Sequence, residues 1–291
     1  MYNLLKNFSR FPLAWIQRLA KSVGMLLYVT HSSARRVTEL NLATAYPELS
    51  QDELNALSKR SLISQCQTYA ESVKIWGSSP EFSLKQIQDV HGAAYFHDSL
   101  ASGRGVIAVI PHFGTWEIMN AWVNQHTTPV IMYKPEKNAD INRFMLEARQ
   151  RLNATLVPTD DTGVRAIFKH LKQGGFTAIL PDHVPKASGG IYAPFFGQSA
   201  LSTTLVSKLA AKTQCALIGM SCLRRADGLG FDLHIVPLSD EILSKDLQVS
   251  VTALNQEMER MINVAPEQYL WTYKRFRDLE GGINLYKATS S

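Results

Sequence analysis

The sequence predicts an α/β fold: a mixed, mostly parallel sheet flanked by helices, preceded by an N-terminal amphipathic helical segment. Two observations carry this. Beyond "GAAYF" (92–96), short apolar runs alternate with amphipathic stretches, the pattern of strands joined by crossover helices. Before it, from residue 1 to about 90, the periodicity is helical and no strand-like run occurs. With 45% hydrophobic and 19% charged residues the 291-residue chain can bury a sizeable core, which excludes a disordered protein. The division expected is a helical segment over 1–90 and an α/β domain over 91–291, without a linker between them.

The first element is "FPLAWIQRLAKSVGMLLYV" (11–29). On a helix, Leu13, Ile16, Ala20, Val23 and Leu27 share one face, and Gln17, Arg18 and Lys21 lie opposite. Six basic side chains (Lys6, Arg10, Arg18, Lys21, Arg35 and Arg36) precede the first acid, Glu39. A basic amphipathic helix of this kind suits the surface of a membrane, and Arg18 with Lys21 at its centre argues against spanning. An ordinary surface helix of a soluble domain fits the same pattern. The net charge of +5 suits an anionic partner: a membrane, a phosphorylated substrate, an acidic carrier protein or a nucleic acid. Nucleic acid is the least supported, because the basic residues are not interleaved with aromatics in a recognised module.

"SQDELNALSKRSLISQCQTYAESVKIW" (50–76) predicts a long helix, with Ser50 and Glu53 forming a capping box and Gly77 and Pro80 stopping it. Strands are expected at 105–110, 129–133, 176–180 and 215–221, and a late one in "FDLHIVPL" (231–238). Helices fit near 116–125, 139–152, 162–173 and 201–213, with a last one at "VTALNQEMERMI" (251–262). "GGIYAPFFGQSALSTT" (189–204) reads as a glycine-rich turn entering a small-residue helix. Three widely spaced cysteines match no zinc pattern and read as buried thiols.

Several familiar motifs fail. "GRGVIA" (103–108) has the glycines of a dinucleotide site, but they precede a strand instead of following one. No phosphate-binding P-loop, H-E-x-x-H or G-x-S-x-G is present, so no covalent nucleophile stands out. What remains is "PHFGTWE" (111–117), at the carboxyl end of a strand, where chemistry collects in open α/β sheets. Within one helix, His112 and Glu117 would point about 140° apart. They can meet only if His112 sits on the loop and Glu117 in the first helical turn, with Gly114 permitting the bend and Thr115 as N-cap. Glu117 would then hold one imidazole nitrogen, and the other would be free to take a proton from a hydroxyl. A structural histidine is the plain alternative. Lys134 in "YKPEKN", Arg149 with Arg143 and Arg151 near one helix, and Asp182 with His183 in "LPDHVP" also end strands or face them. Charged groups repeated at adjacent strand ends are best explained by a shared cleft.

In order, "NLATAYPELS", "HFGTWE", "YKPEKN", "EARQRL", "LPDHVPKASGGIYAPFFG", "ALSTT" and "PEQYLWTYKRFR" resemble the bacterial late acyltransferases of lipid A biosynthesis, of the lysophospholipid-acyltransferase-like group. The resemblance runs over nearly the whole chain and rests on the combination of motifs. It implies an O-acyltransferase domain over 91–291, at the cytoplasmic face of the inner membrane. The enzyme would move a fatty acyl chain from acyl carrier protein, or coenzyme A, to a hydroxyl of a lipid A precursor. It implies His112 as general base with Glu117 as its partner, and Lys134, Arg149, Asp182 and His183 as substrate-binding residues. No metal and no bound cofactor are implied. The family usually has arginine where this chain has Lys134 and glutamine where it has His183, which bears on the acceptor: another glycolipid or a lysophospholipid is the alternative. From the residues alone two further classes stay open. One is a metal-dependent hydrolase using His112, Glu117, Asp182 and His183 as ligands. The other is a non-catalytic lipid-binding protein.

Overall fold

A computed structural model describes residues 1–287. The helical layer comes first, as α1 (Tyr2–Phe8), α2 (Leu13–Val29), α3 (Ser33–Ala45) and α4 (Gln51–Trp76). The capping box of Ser50 and Glu53 starts α4 as expected, and Gly77 closes it. Its buried face is largely polar and small: Ser58, Ser61, Ser64, Thr68 and Ser72 alternate with Leu57 and Leu62. That lets α2 approach closely: a Cβ on Gly24 would stand 2.6 Å from the Ile63 Cα, so glycine is required there.

The apolar face expected of α2 is only half of what the helix presents. Ile16, Ala20 and Gly24 pack inward, and with them Gln17, which had been placed on the polar side. A second apolar stripe points outward. Phe11 just ahead of the helix, then Trp15, Leu19, Val23 and Leu26, are all exposed, Trp15 by 66%. Among the described residues no helix is long and apolar enough to cross a membrane.

The α/β part runs through α5 (Pro80–Gln86), β1 (Ile87–His91), α6 (Ala93–Ala101), β2 (Val106–Val109), α7 (Met119–His126), β3 (Val130–Tyr133) and α8 (Ala139–Gln150). It continues with β4 (Thr155–Pro158), α9 (Asp161–Lys172), β5 (Phe176–Ile179), β6 (Gly190–Phe195), β7 (Gln198–Thr203), α10 (Leu205–Thr213), β8 (Ala216–Arg224), β9 (Phe231–Pro237) and α11 (Leu247–Ile262). The main sheet has the order β1-β9-β8-β2-β5, parallel except for the β8–β9 pair. β3 and β4 pair in parallel as a small separate sheet. Central β2 is buried on both faces, which is why "GVIAVI" reads as an unbroken apolar run. Ile107 and Val109 enter the core under α9, α10 and α11, while Val106, Ala108 and Ile110 enter the one under α6 and α7.

Several elements differ from expectation. "GGIYAPFFGQSALSTT" is an antiparallel hairpin, β6–β7, and the helix after it starts only at Leu205. Phe196 and Gly197 make its two-residue turn with positive φ, and alternating Ala193, Phe195 and Ala200 are buried beneath it; small residues were mistaken for helix formers. The polar-looking strands β1 and β4 lie at the edges of their sheets, where exposure on one side removes the apolar run that would announce them. "PEQYLWTYKRFR" forms neither strand nor helix after the short turn Pro266–Gln268, yet it is deeply embedded, with Trp271, Arg275 and Phe276 almost fully buried.

Candidate active site

Beyond β2 the chain turns sharply at "PHFG". Gly114 has φ +67°, and a Cβ there would lie 2.2 Å from the Cys222 carbonyl oxygen, so only glycine fits. The loop is clamped from both sides: Gly114 N–H donates to Gln268 O (3.0 Å), Thr115 N–H to Cys222 O (2.7 Å), and Leu270 N–H to His112 O (3.1 Å). A 3-10 turn, Trp116–Ile118, then leads into α7. Thr115 stands at its N-cap position without capping it; its hydroxyl instead donates to the fully buried Glu71 carboxylate (2.7 Å).

β2 and β5 run parallel with Val109 opposite Ile179. Carrying that register three residues further sets His112 opposite Asp182, 70 positions away in sequence. Asp182 accepts twice from this residue: the backbone N–H of His112 reaches Oδ2 at 3.0 Å, and the imidazole Nδ1 lies 2.8 Å from Oδ1. Burial by itself would raise the Asp182 carboxyl, which is 1% exposed; the neighbouring His112 and its hydrogen bonds outweigh burial and hold the group well below the usual carboxylate range. An ionised carboxylate only accepts, so Nδ1 carries a proton, and in the neutral ring the free lone pair is on Nε2. The Tyr269 hydroxyl also bonds Asp182; burial, then the carboxylate charge, push that phenol well above its ordinary value, so it stays protonated.

The expected His112–Glu117 contact is replaced by this pairing. Glu117 does sit in the first turn, but its side chain faces α8: Oε1 accepts from Arg149 (3.0 Å) and Oε2 from the Asn120 amide (3.2 Å). The carboxylate and guanidinium are 7% and 20% exposed, a largely desolvated ion pair. Arg149 also lies over the Tyr133 ring (5.3 Å). The other two helix arginines serve elsewhere: Arg143 pairs with Glu147 on the outer face of α8, and Arg151 donates to the carbonyls of Trp76 and Ser78.

Trp116 and His183, the two rings against His112, line a cavity of about 370 Å³. Its walls are apolar, from Ile131, Met132, Leu156, Ala178 and Leu205, while Trp116, Glu117, Lys134, Arg149 and His183 give it a polar side. The sequence therefore named every charged group of this cleft, although it paired them wrongly. His183 stacks face to face on His112 (ring centroids 3.8 Å, 2° between planes) and on Tyr273 at its other face (4.0 Å, 16°). Burial, followed by the nearby His112, lowers His183 to about 4, so it is neutral at neutral pH. The four ligands of the hydrolase alternative do not converge: Glu117 is turned to Arg149, the His183 ring lies flat on His112, and among the described residues no group of three or more His, Cys, Asp and Glu gathers as a metal site.

Sequence reasoning missed Glu71, and it reads Tyr269 and Tyr273 as structural more than catalytic. Glu71 had a legible signal, since it continues the buried Ser/Thr stripe of α4. The alternation of Tyr269, Trp271 and Tyr273 suggests a strand or core edge, and nothing local shows what the two tyrosines contact.

The chain matches the model of the family described as bacterial lipid A biosynthesis acyltransferase over residues 2–278. It is 25% identical to a lipid A biosynthesis lauroyltransferase of Escherichia coli K12, covering 94% of this chain and 89% of that protein. A lipid A biosynthesis palmitoleoyltransferase of the same strain is also 25% identical, over 83% and 78% of the two chains. A myristoyltransferase from it is 22% identical, over 94% and 83%. With the match extending through the strand-end residues, the clamped loop and the embedded C-terminal segment, the chain belongs to the bacterial lipid A biosynthesis acyltransferase family and is an acyltransferase.

Proposed function

We propose that the protein transfers a fatty acyl chain from acyl carrier protein to a hydroxyl of a lipid A precursor, with His112 as general base. The observation that carries this is the 2.8 Å Nδ1–Asp182 contact, which leaves Nε2 as the base on a ring flanked by Trp116 and His183, both of which line an apolar cavity. Nε2 takes the proton of the acceptor hydroxyl as its oxygen attacks the thioester carbonyl carbon. The tetrahedral intermediate collapses with cleavage of the C–S bond, and the imidazolium returns the proton to the departing thiolate. Asp182 orients the ring and supports its transient positive charge, the part an aspartate plays in a catalytic triad. No acyl-enzyme is formed.

The apolar walls suit the acyl chain, and a cavity of this size falls in the ordinary range for a small-molecule site. Lys134 and Arg149 supply positive charge at its polar side, for a phosphate of the acceptor or of the carrier's prosthetic arm; Glu117 holds Arg149 in place. The outward stripe of Phe11, Trp15, Leu19, Val23 and Leu26, flanked by Arg18 and Lys21, suits a helix lying in the interface of the inner membrane at its cytoplasmic face, where a lipid acceptor is presented.

The test is acyl transfer from acyl carrier protein to a lipid A precursor by membranes carrying wild type or His112→Ala, with EDTA and acyl-coenzyme A arms in parallel. Transfer that survives EDTA and disappears with His112→Ala is expected; transfer abolished by EDTA would overturn the metal-free mechanism. Filling the cavity provides a second prediction. Ala178→Leu should shift the preference toward shorter acyl donors, changing the ratio of kcat/KM values by on the order of 10-fold for each methylene that no longer fits. An unchanged chain-length profile would remove the acyl chain from this cavity.

A further inference from the structure

We propose that His183 is a positioning residue for the reaction: an aromatic plate, held between His112 and Tyr273, that fixes the plane of the catalytic imidazole. The proposal rests on the reading of His112 as general base and adds the group that sets its orientation.

Asp182 holds one edge of the His112 ring, but one hydrogen-bonded edge leaves the ring free to swing about the axis through that contact. Trp116 meets the imidazole edge-on at 5.1 Å. His183 covers a whole face at 3.8 Å, and an almost parallel contact of 2° is what prevents the swing. The plate is itself immobilised. Tyr273 stacks on its far side, and the Tyr273 hydroxyl accepts the backbone N–H of Val184 (3.0 Å), the residue after His183. Arg277 lies over the Tyr273 ring at 5.4 Å. From below, the Asn41 amide donates to the backbone carbonyl of Tyr273 (2.8 Å) and to that of Trp271 (2.6 Å), anchoring the segment to α3. The ends of β2 and β5 and the embedded C-terminal segment thus meet in one column of rings.

An imidazole fits this position for two reasons. Its Nε2 is buried without a hydrogen-bond partner, so the ring is used for its faces more than for that nitrogen. Being neutral, it also puts no like charge against His112 when that ring takes a proton, and its π face favours the adjacent cation. Lysine or arginine at 183 would oppose the same step.

The experiment compares His183→Ala, His183→Gln and His183→Phe in the acyl-transfer assay, with His112→Ala as the inactive control and thermal unfolding run on each variant. Ala and Gln lack a ring and are expected to lower kcat on the order of 10- to 100-fold, with KM for the acyl donor within about twofold of wild type. Phe restores the plate and is expected to recover kcat to within about threefold. Tyr273→Leu, which removes the far support, should reproduce the kcat loss, and Tyr273→Phe should reproduce it less. Full activity in folded His183→Gln would overturn the proposal. So would a His183→Phe variant as slow as His183→Ala, since that would make a ring nitrogen the working group. Transfer retained by His112→Ala would instead sink the general-base reading.

Discussion

Asp182→Asn is expected to lower kcat by on the order of 10³- to 10⁴-fold while leaving KM for the acyl donor nearly unchanged. The carboxylate accepts from Nδ1 at 2.8 Å and so fixes the tautomer in which Nε2 is the base. An asparagine amide at the same place can donate to Nδ1, which moves the ring proton to Nε2 and removes the lone pair that the reaction needs. The geometry would survive and the chemistry would not. Glu117→Gln acts differently, because its partner is Arg149 at 3.0 Å and its effect runs through the polar side of the cavity. Its loss should match that of Arg149→Ala, and the double variant should be no worse than either, as expected for two residues that act as one unit. Steady-state kinetics on the four variants decide the matter. An active Asp182→Asn beside an inactive Glu117→Gln would return the imidazole-orienting role to Glu117.

The largest stability effect is expected at Glu71, a residue that the sequence did not single out. Its fully buried carboxylate accepts four hydrogen bonds from three residues on three elements: two from Arg224 at the end of β8, through Nη2 (2.8 Å) and Nε (2.5 Å), one from Thr115 Oγ1 (2.7 Å) in the active-site loop, and one from Gln17 Nε2 (2.8 Å) on α2. Arg224 in turn donates to Ser64 Oγ (3.0 Å) and Thr68 Oγ1 (3.1 Å) on α4 itself. Glu71→Ala would leave a nearly buried guanidinium, an amide and a hydroxyl without their acceptor. Removing one partner of a buried pair costs about 3–5 kcal/mol, which in a chain of this size is a Tm lower by roughly 6–20 °C. Replacing both partners, as Glu71→Leu with Arg224→Leu, should cost less than Glu71→Ala alone, because no orphaned charge remains. Thermal unfolding of the three proteins tests this, and a loss under about 1 kcal/mol for Glu71→Ala would mean that water reaches the pair. Since Thr115 is one of the three partners, Glu71→Ala should also loosen the "HFGTWE" loop and lower kcat.

Much of the architecture was legible because burial on both faces writes itself into composition. β2 has no exposed side, so "GVIAVI" could only be a buried strand, and α4 announced both its ends through Ser50, Glu53 and Gly77. Edge strands β1 and β4 and the β6–β7 hairpin were not legible, since a strand exposed on one side or built of Gly, Ala, Ser and Thr carries no apolar run. On α2 the periodicity was real but its reading was incomplete. Small residues Ala20 and Gly24 mark the packed face, and the larger side chains Trp15, Leu19 and Leu26 are the exposed ones, the reverse of an ordinary surface helix.

The sequence by itself determined the alternating architecture and the placement of charged residues at strand ends, because each of these depends on neighbours within a turn or a strand. Only the tertiary structure decided the pairing. His112 and Glu117, five positions apart, look like partners along the chain. The parallel register of β2 with β5 instead brings in Asp182 from 70 positions away, and the turn after Gly114 carries Glu117 off toward α8. Register is fixed by which faces two strands must bury together, a property of both strands and of everything packed upon them, and no local spacing contains it.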